Sequence, residues 1–151
     1  MAEIAYWEAI QRAHDEEMAN DPLVIAMGED IGVVGGTYKA TSGLYEKYGS
    51  ERIIDCPISE NSYTGIGIGA SMIGIRPIIE IMSINFALLA LDTLINAAAK
   101  IHYMSGGRIA CDCYAYPRWY STSTCGTTFS TSCAYVYEYL WFACSNTTQP
   151  D

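Results

Sequence analysis

Apolar side chains recur at three- and four-residue spacing near the start of the chain. Ile4, Trp7, Ile10, Ala13 and Met18 fall on one side of a helix over residues 4 to 18, with Glu8, Gln11, Arg12, Glu16 and Glu17 on the other. Asn20-Asp21-Pro22 ends it. From Leu23 to Met27 the run is apolar without alternation, as in a strand covered on both faces, and it stops at Gly28-Glu29-Asp30. A loop follows through Gly32, Gly35 and Gly36, after which Thr41 or Ser42 is placed to cap a short helix through Leu44, Tyr45 and Tyr48 that Gly49 closes. Arg52 to Asp55 reads as a second strand and Arg76 to Met82 as a third, Pro77 being tolerable only near a strand's start. Asn85 to Tyr103 predicts one long helix that buries Leu88, Leu91, Leu94, Ile95 and Ala98 and closes at Ser105-Gly106-Gly107. Strands and helices alternating at this spacing predict an α/β fold, a mainly parallel sheet with helices on both faces.

Two stretches depart from plain patterning. Ser62 to Gly74 is small and apolar, with Gly65, Gly67 and Gly69 inside a helical run. Each glycine costs a helix about 1 kcal/mol, so three of them predict close approach by another backbone or a ligand, Gly65 and Gly69 lying on one face; a glycine-rich buried turn is the plainer alternative. After Gly107 the rhythm is lost. The last 44 residues hold two basic and three acidic side chains, six tyrosines, no histidine and a Ser/Thr/Cys-rich run from Ser121 to Cys133. Alternating Tyr135, Tyr137 and Tyr139 suit a strand from Ala134 to Phe142. The chain therefore divides into residues 1–107 and a divergent Ser/Thr/Tyr/Cys-rich tail, 108–151, expected to be frameshifted or disordered.

Composition narrows the function. With 151 residues, half of them apolar, one domain with a substantial core is in reach. A formal charge of −9 and the lack of a basic stripe exclude a nucleic-acid binder. The start, Met-Ala-Glu-Ile, puts an acid where a secretory signal has bases, and Ile81 to Ala99 is interrupted by Asn85, Asp92 and Asn96, so neither secretion nor membrane insertion is expected. A cytoplasmic or organelle-interior location follows. Five of six cysteines lie after Gly107 with spacings that match no zinc pattern, and no metal site is expected.

Asp55-Cys-Pro-Ile-Ser-Glu60-Asn-Ser-Tyr-Thr-Gly65 places a carboxylate at a strand-to-helix junction. Shielded from water there, Glu60 can hold or move a proton on a heterocycle nitrogen; on the residue pattern alone an acid in this place is more often a helix cap. Glu29 and Asp30 end the first strand as supporting acids, an inter-subunit ion pair or solvated loop charges. Phe86 follows the third strand, as a stacking surface for a flat ring or as core. His14 and His102 have no Ser or Cys at triad spacing, there is no GxxxxGK[ST] loop, and Gly65-x-Gly-x-Gly69 lacks the acidic partner of a dinucleotide site.

Several ordered blocks carry a resemblance: Gly28-Glu-Asp-Ile-Gly, Gly35-Gly-Thr-Tyr-Lys-Ala-Thr-Ser-Gly-Leu-Tyr-Glu-Lys-Tyr-Gly49, Arg52 through Gly65, Gly74-Ile-Arg-Pro-Ile-Ile-Glu80, Asn85-Phe86, Ile95-Asn-Ala-Ala-Ala-Lys100 and Tyr103-Met-Ser-Gly-Gly107. From about Ile4 to Gly107 the chain resembles the E1 beta subunits of 2-oxoacid dehydrogenase complexes, of the pyruvate dehydrogenase type. The resemblance implies the pyrimidine-type domain of a thiamine-diphosphate enzyme, incomplete here, acting in oxidative decarboxylation of pyruvate with acyl transfer to a lipoyl group. It implies that Glu60 hydrogen-bonds N1′ of the aminopyrimidine, that Phe86 packs against that ring, that Ile58 and Met82 line the pocket, and that Glu29 lies close by. It also implies an E1 alpha subunit as partner in an α2β2 assembly, holding most of the diphosphate and Mg²⁺, with Gly65 and Gly69 packing at an interface and the E2 lipoyl acyltransferase receiving the acyl group.

The tail departs from that pattern. The strand, Arg-Gly-Pro-x-Gly loop and His-Ser pair that continue such a subunit do not follow Gly107. A truncated or tail-altered beta subunit, inactive alone, is the expectation. The alternatives are a non-catalytic partner of an alpha subunit, or the beta subunit of a branched-chain 2-oxoacid or acetoin dehydrogenase.

Overall fold

A computed structural model describes residues 5–111 and the strand at 114–117. Four strands form one sheet: β1 (Val24–Gly28), β2 (Ile53–Asp55), β3 (Arg76–Ile81) and β4 (Tyr114–Pro117), in the order β2-β1-β3-β4. Every neighbouring pair is parallel. The α/β layering expected from the pattern is present, and β4 adds a strand from beyond Gly107 that the pattern did not reveal. The strand expected at Ala134 to Phe142 lies outside the described residues.

Alternation along the strands divides the core between the two faces. Val24 and Ala26 of β1, with Ile53 of β2, pack with Met18 of α1 (Tyr6–Asn20), Ile31 and Leu44 of α2 (Leu44–Tyr48). Met27 of β1 and Ile79 and Ile81 of β3 turn the other way, onto Tyr63 and Ile68 of α3 (Glu60–Ser71), Ile84 and Ala87 of α4 (Ile84–Ala87), Ala90, Leu94 and Cys111. Helices thus cover both faces, which is why β1 reads as a continuous apolar run. Arg52 ties the first face together: its guanidinium donates to the carbonyls of Met18, Asp21 and Val24 at 2.7–3.0 Å and lies 5.0 Å from the centre of the Tyr48 ring.

Three local expectations change. On α1 the buried positions are His14 and Met18, one turn apart, while Trp7 is 44% exposed and Ala13 is exposed. Only the last turns of this helix contribute buried side chains. The cap of α2 is Gly43 at φ 80°, because the Thr41 hydroxyl is already committed to the Ile31 carbonyl at 2.7 Å. Gly49 does close the helix, donating to the Tyr45 carbonyl at 2.8 Å.

The single long helix is instead broken. After α4 come a 3₁₀ turn, Leu88–Ala90, a π-helical stretch, Thr93–Ala98, and α5 (Ala99–Met104), with a bend of 57° between the segments on either side of Leu91-Asp92. Ile84, Ala87 and Ala90 are buried at three-residue spacing, the period of a 3₁₀ winding, and only Leu94 of the five expected residues is fully buried. Leu88 is instead exposed, and Leu91, Ile95 and Ala98 are half-buried. The end at Ser105-Gly106-Gly107 is as expected: Gly107 donates to the His102 carbonyl and Gly106 to that of Tyr103, a Schellman closure with both glycines at positive φ. Among the described residues no single helix is long and apolar enough to cross a membrane.

Candidate functional site

The register brings the carboxyl ends of three strands level. Gly28 of β1 lies opposite Asp55 of β2 and Glu80 of β3. The loops after β1 and β3 leave the sheet at neighbouring positions, the place where open α/β sheets bind ligands. Glu29 follows β1, Ile58 and Glu60 follow β2, and Met82 and Phe86 follow β3. Because β2 and β3 flank β1, their loops lie on either side of the one carrying Glu29.

Gly28 permits this crowding. A Cβ there would stand 2.6 Å from the Glu80 carbonyl oxygen and 3.1 Å from the Glu80 Cβ. The glycine loop that follows is fixed from below: Asp55 Oδ1 accepts from the Gly32 amide at 2.7 Å, Gly36 donates to the Asp30 carbonyl at 2.8 Å, and Asp30 itself sits at φ 55°. Glu80 lies on this side of the sheet. Its carboxylate would be 3.5 Å from a Cβ at Gly36, and the residue is 4% exposed.

Glu60 is the first residue of α3 and only 6% exposed. It does not cap the helix. Ser59 holds the cap position and makes no side-chain cap bond, its carbonyl accepting from Ser62 and Tyr63. A carboxylate in the first turn is favoured by the amide dipoles, so the helix start compensates in part for burial. Tyr63 and Thr64 follow at three and four residues and share the inward face, at 2% and 0% exposure.

Electrostatics tie these groups together. Burial raises the Glu29 carboxyl above its ordinary value, and the charges of Glu60 and then Asp30 raise it further. Burial also pushes the Tyr63 phenol well up, followed by Glu29, Glu60, Cys56 and Glu80. The Cys56 thiol is raised by burial above all, against a hydrogen bond involving Gly28 that lowers it. It is a protonated thiol at neutral pH, not a nucleophile. Glu29 Oε1, the Tyr63 hydroxyl and Thr64 Oγ1 are buried without a hydrogen-bond partner among the described residues.

The apolar members of the set stand open. Ile58 is 86% exposed and Phe86 37%, while Met82 is half-buried. Of the two glycines expected at an interface, Gly65 is half-buried with a Cβ position 3.6 Å from Thr93 Cγ2, and Gly69 is exposed with none of the described residues within 4 Å of its Cβ position. The tight approach inside the chain belongs to Gly67, whose Cβ would meet Ile79 Cδ1 at 2.6 Å. The outward side of α3 carries the exposed Ile66 beside those two open glycines. Among the described residues no group of three or more His, Cys, Asp or Glu is arranged to hold a metal ion. His14 Nδ1 pairs with the Ile10 carbonyl and His102 Nδ1 with that of Ile109.

Sequence reasoning missed Tyr63, Thr64 and Glu80. Each carried a signal: Tyr63 and Thr64 stand one helical turn from Glu60, and the acid at 80 interrupts the apolar run Pro77-Ile-Ile-Glu-Ile-Met82.

Comparison with known proteins bears on the fold and the family. The family described as "Transketolase, pyrimidine binding domain" matches residues 2–116. The pyruvate dehydrogenase E1 component subunit beta of Chaetosphaeridium globosum is 54% identical over 107 residues, 71% of this chain and 33% of that protein. The mitochondrial subunit of Dictyostelium discoideum is 53% identical over 107 residues, 71% of this chain and 30% of that protein. The chloroplastic subunit beta-3 of Arabidopsis thaliana is 50% identical over 106 residues, 70% of this chain and 26% of that protein. The chain spans about a third or less of the length of these relatives.

Proposed function

The chain belongs to the transketolase pyrimidine-binding-domain family, and on that premise we propose that it supplies the aminopyrimidine half of a thiamine-diphosphate site in a pyruvate dehydrogenase E1 assembly. The observation that carries the reading is Glu60, buried at the start of α3 beyond the sheet's carboxyl edge. The residues present fit an aminopyrimidine. A buried carboxylate, unpartnered polar atoms on Glu29 and Tyr63, and exposed Phe86 and Ile58 together offer polar partners for ring nitrogens and apolar cover for ring faces.

Glu60 holds a proton against N1′ of the ring; Glu29, its carboxyl raised by burial, stands beside that proton as a second carrier. Phe86, Met82 and Ile58 bear on the ring and exclude water. When bound, thiamine diphosphate supplies the electron sink for carbon dioxide loss from a 2-oxoacid. The diphosphate and Mg²⁺ are assigned to an E1 alpha subunit, so the chain alone does not turn over. Gly65 and Gly69 are assigned to the packing of subunits, the substrate is pyruvate, the acyl group passes to the lipoyl group of an E2 acyltransferase, and the place of action is the cytoplasm or an organelle interior.

The test is co-expression of the full chain with a pyruvate dehydrogenase E1 alpha subunit. Calorimetry with thiamine diphosphate and pyruvate-dependent reduction of an artificial acceptor give the readouts. The pair is expected to co-purify and bind the cofactor. Glu60→Gln should still co-purify yet lose about 10²-fold or more of the turnover, the usual worth of a positioned acid–base group. A co-purified pair that binds no thiamine diphosphate refutes the reading.

A further inference from the structure

Glu60 stands in the first turn of α3, and that turn has no cap side chain to fix it, since Ser59 holds the cap position without a side-chain bond. A restraint reaches it from the broken helix after β3. Thr93, the first residue of the π-helical stretch, meets α3 with both branches of its side chain. Its hydroxyl donates to Asn61 Oδ1, on the residue next to Glu60. Its methyl, Cγ2, lies 3.6 Å from the Cβ position of Gly65, one helical turn beyond Asn61. Thr93 is half-buried by this contact, whereas Asn61 is exposed and touches the π stretch only through its side-chain tip. The π winding starts directly after the 57° bend at Leu91-Asp92. Such windings are rare and frequently stand at functional sites.

We propose that Thr93 is a positioning residue for Glu60: through Asn61 it latches the first turn of α3 to the π-helical stretch and so sets where the buried carboxylate stands. Neither Thr93 nor Asn61 is assigned to the ring; the latch acts on Glu60 through the backbone of α3. The inference rests on the thiamine reading for the use of Glu60, but its test needs neither cofactor nor partner. A co-purified pair that binds no thiamine diphosphate would strike that reading and leave the latch to be judged by itself.

The experiment uses the full 151-residue chain and two substitutions that divide the side chain. Thr93→Val keeps the shape and loses the hydroxyl; Thr93→Ser keeps the hydroxyl and loses the methyl. Amide hydrogen exchange is followed at Ser62 and Tyr63, which both donate to the Ser59 carbonyl, with the amides of β3 as reference. In Thr93→Val, exchange at Ser62 and Tyr63 should rise about fivefold, the worth of one ordinary hydrogen bond, while β3 holds. With glutamate carboxyls labelled with ¹³C, the Glu60 resonance, identified by its loss in Glu60→Gln, should move in Thr93→Val. Thr93→Ser should match the parent chain in both readouts. Unchanged exchange in Thr93→Val, a rise shared by β3, a Glu60 resonance that stays in place, or a Thr93→Ser that behaves as Thr93→Val overturns the proposal.

Discussion

Alanine substitution at Gly67 and at Gly69 separates two roles of glycine within one helix. Both positions lie in α3, so both variants gain the same helix propensity, about 1 kcal/mol. At Gly69 none of the described residues stands within 4 Å of the new Cβ, and the whole gain should appear as stability. At Gly67 the Cβ would lie 2.6 Å from Ile79 Cδ1, 3.0 Å from Ile79 Cγ1 and 3.1 Å from Met27 Sδ. Ile79 is fully buried and Met27 nearly so. The helix must therefore move off the sheet, or the isoleucine must leave its rotamer, at a cost of about 1–3 kcal/mol. Propensity cancels between the two variants, so their difference measures overpacking alone. With a urea slope of about 2 kcal/mol/M, a gap of about 2 kcal/mol separates the midpoints by about 1 M, Gly69→Ala being the more stable. Equal midpoints, or a more stable Gly67→Ala, would refute the argument. Mixed with an alpha subunit, Gly69→Ala should also pair less well than the parent chain if that open face is an interface.

Two further predictions concern stability. Arg52→Lys loses the planar fork that reaches the carbonyls of Met18, Asp21 and Val24; it should cost about 1.5–3 kcal/mol or more, the worth of one charge-assisted bond, and an unchanged urea midpoint would remove Arg52 as the tie between α1 and β1. Glu29 has a folded value above its unfolded one, so its stabilising contribution is complete below the unfolded value of 4.5 and is lost as pH rises through the folded value. Glu29→Gln should therefore leave a chain more stable than the parent at pH 7 and level with it near pH 4, read from thermal midpoints across pH; a gap that grows toward acid would contradict the burial argument.

Regular elements were legible where periodicity reported a face in contact with the sheet. β1 read correctly because two covered faces leave an apolar run with no polar alternation, and Gly106 marked a helix end because a Schellman closure places its first residue past the helix at positive φ. The misreadings share one cause. Trp7 and Leu88 carry the right spacing for burial, but Trp7 is 44% exposed at the start of α1 and the 3₁₀ winding at Leu88–Ala90 buries Ala87 and Ala90 instead of Leu88. Spacing reports which residues align; it carries nothing about how far the opposing surface extends. The α2 cap failed differently, since Thr41 had a long-range carbonyl to satisfy that local pattern could not show.

The site was legible to the extent that it is built from chain positions at strand ends. Glu29, Glu60 and Phe86 could be set beyond strand ends from the strand pattern, since in a parallel sheet residues after successive strands gather at one edge, whereas Ile58 and Met82 entered only through the resemblance. What stayed hidden depends on which polar atoms are left over once the chain has folded. Tyr63 looks like core by its neighbours, and it is core; only its hydroxyl, buried without a partner among the described residues, makes it a chemical group. Glycine shows the same division. Gly67 is needed by the fold and Gly69 is not, although both stand at alternate places in one run. An open glycine costs helix stability without relieving any clash inside the chain. Its use must therefore be sought on the outside of α3, where the exposed Ile66 stands beside it.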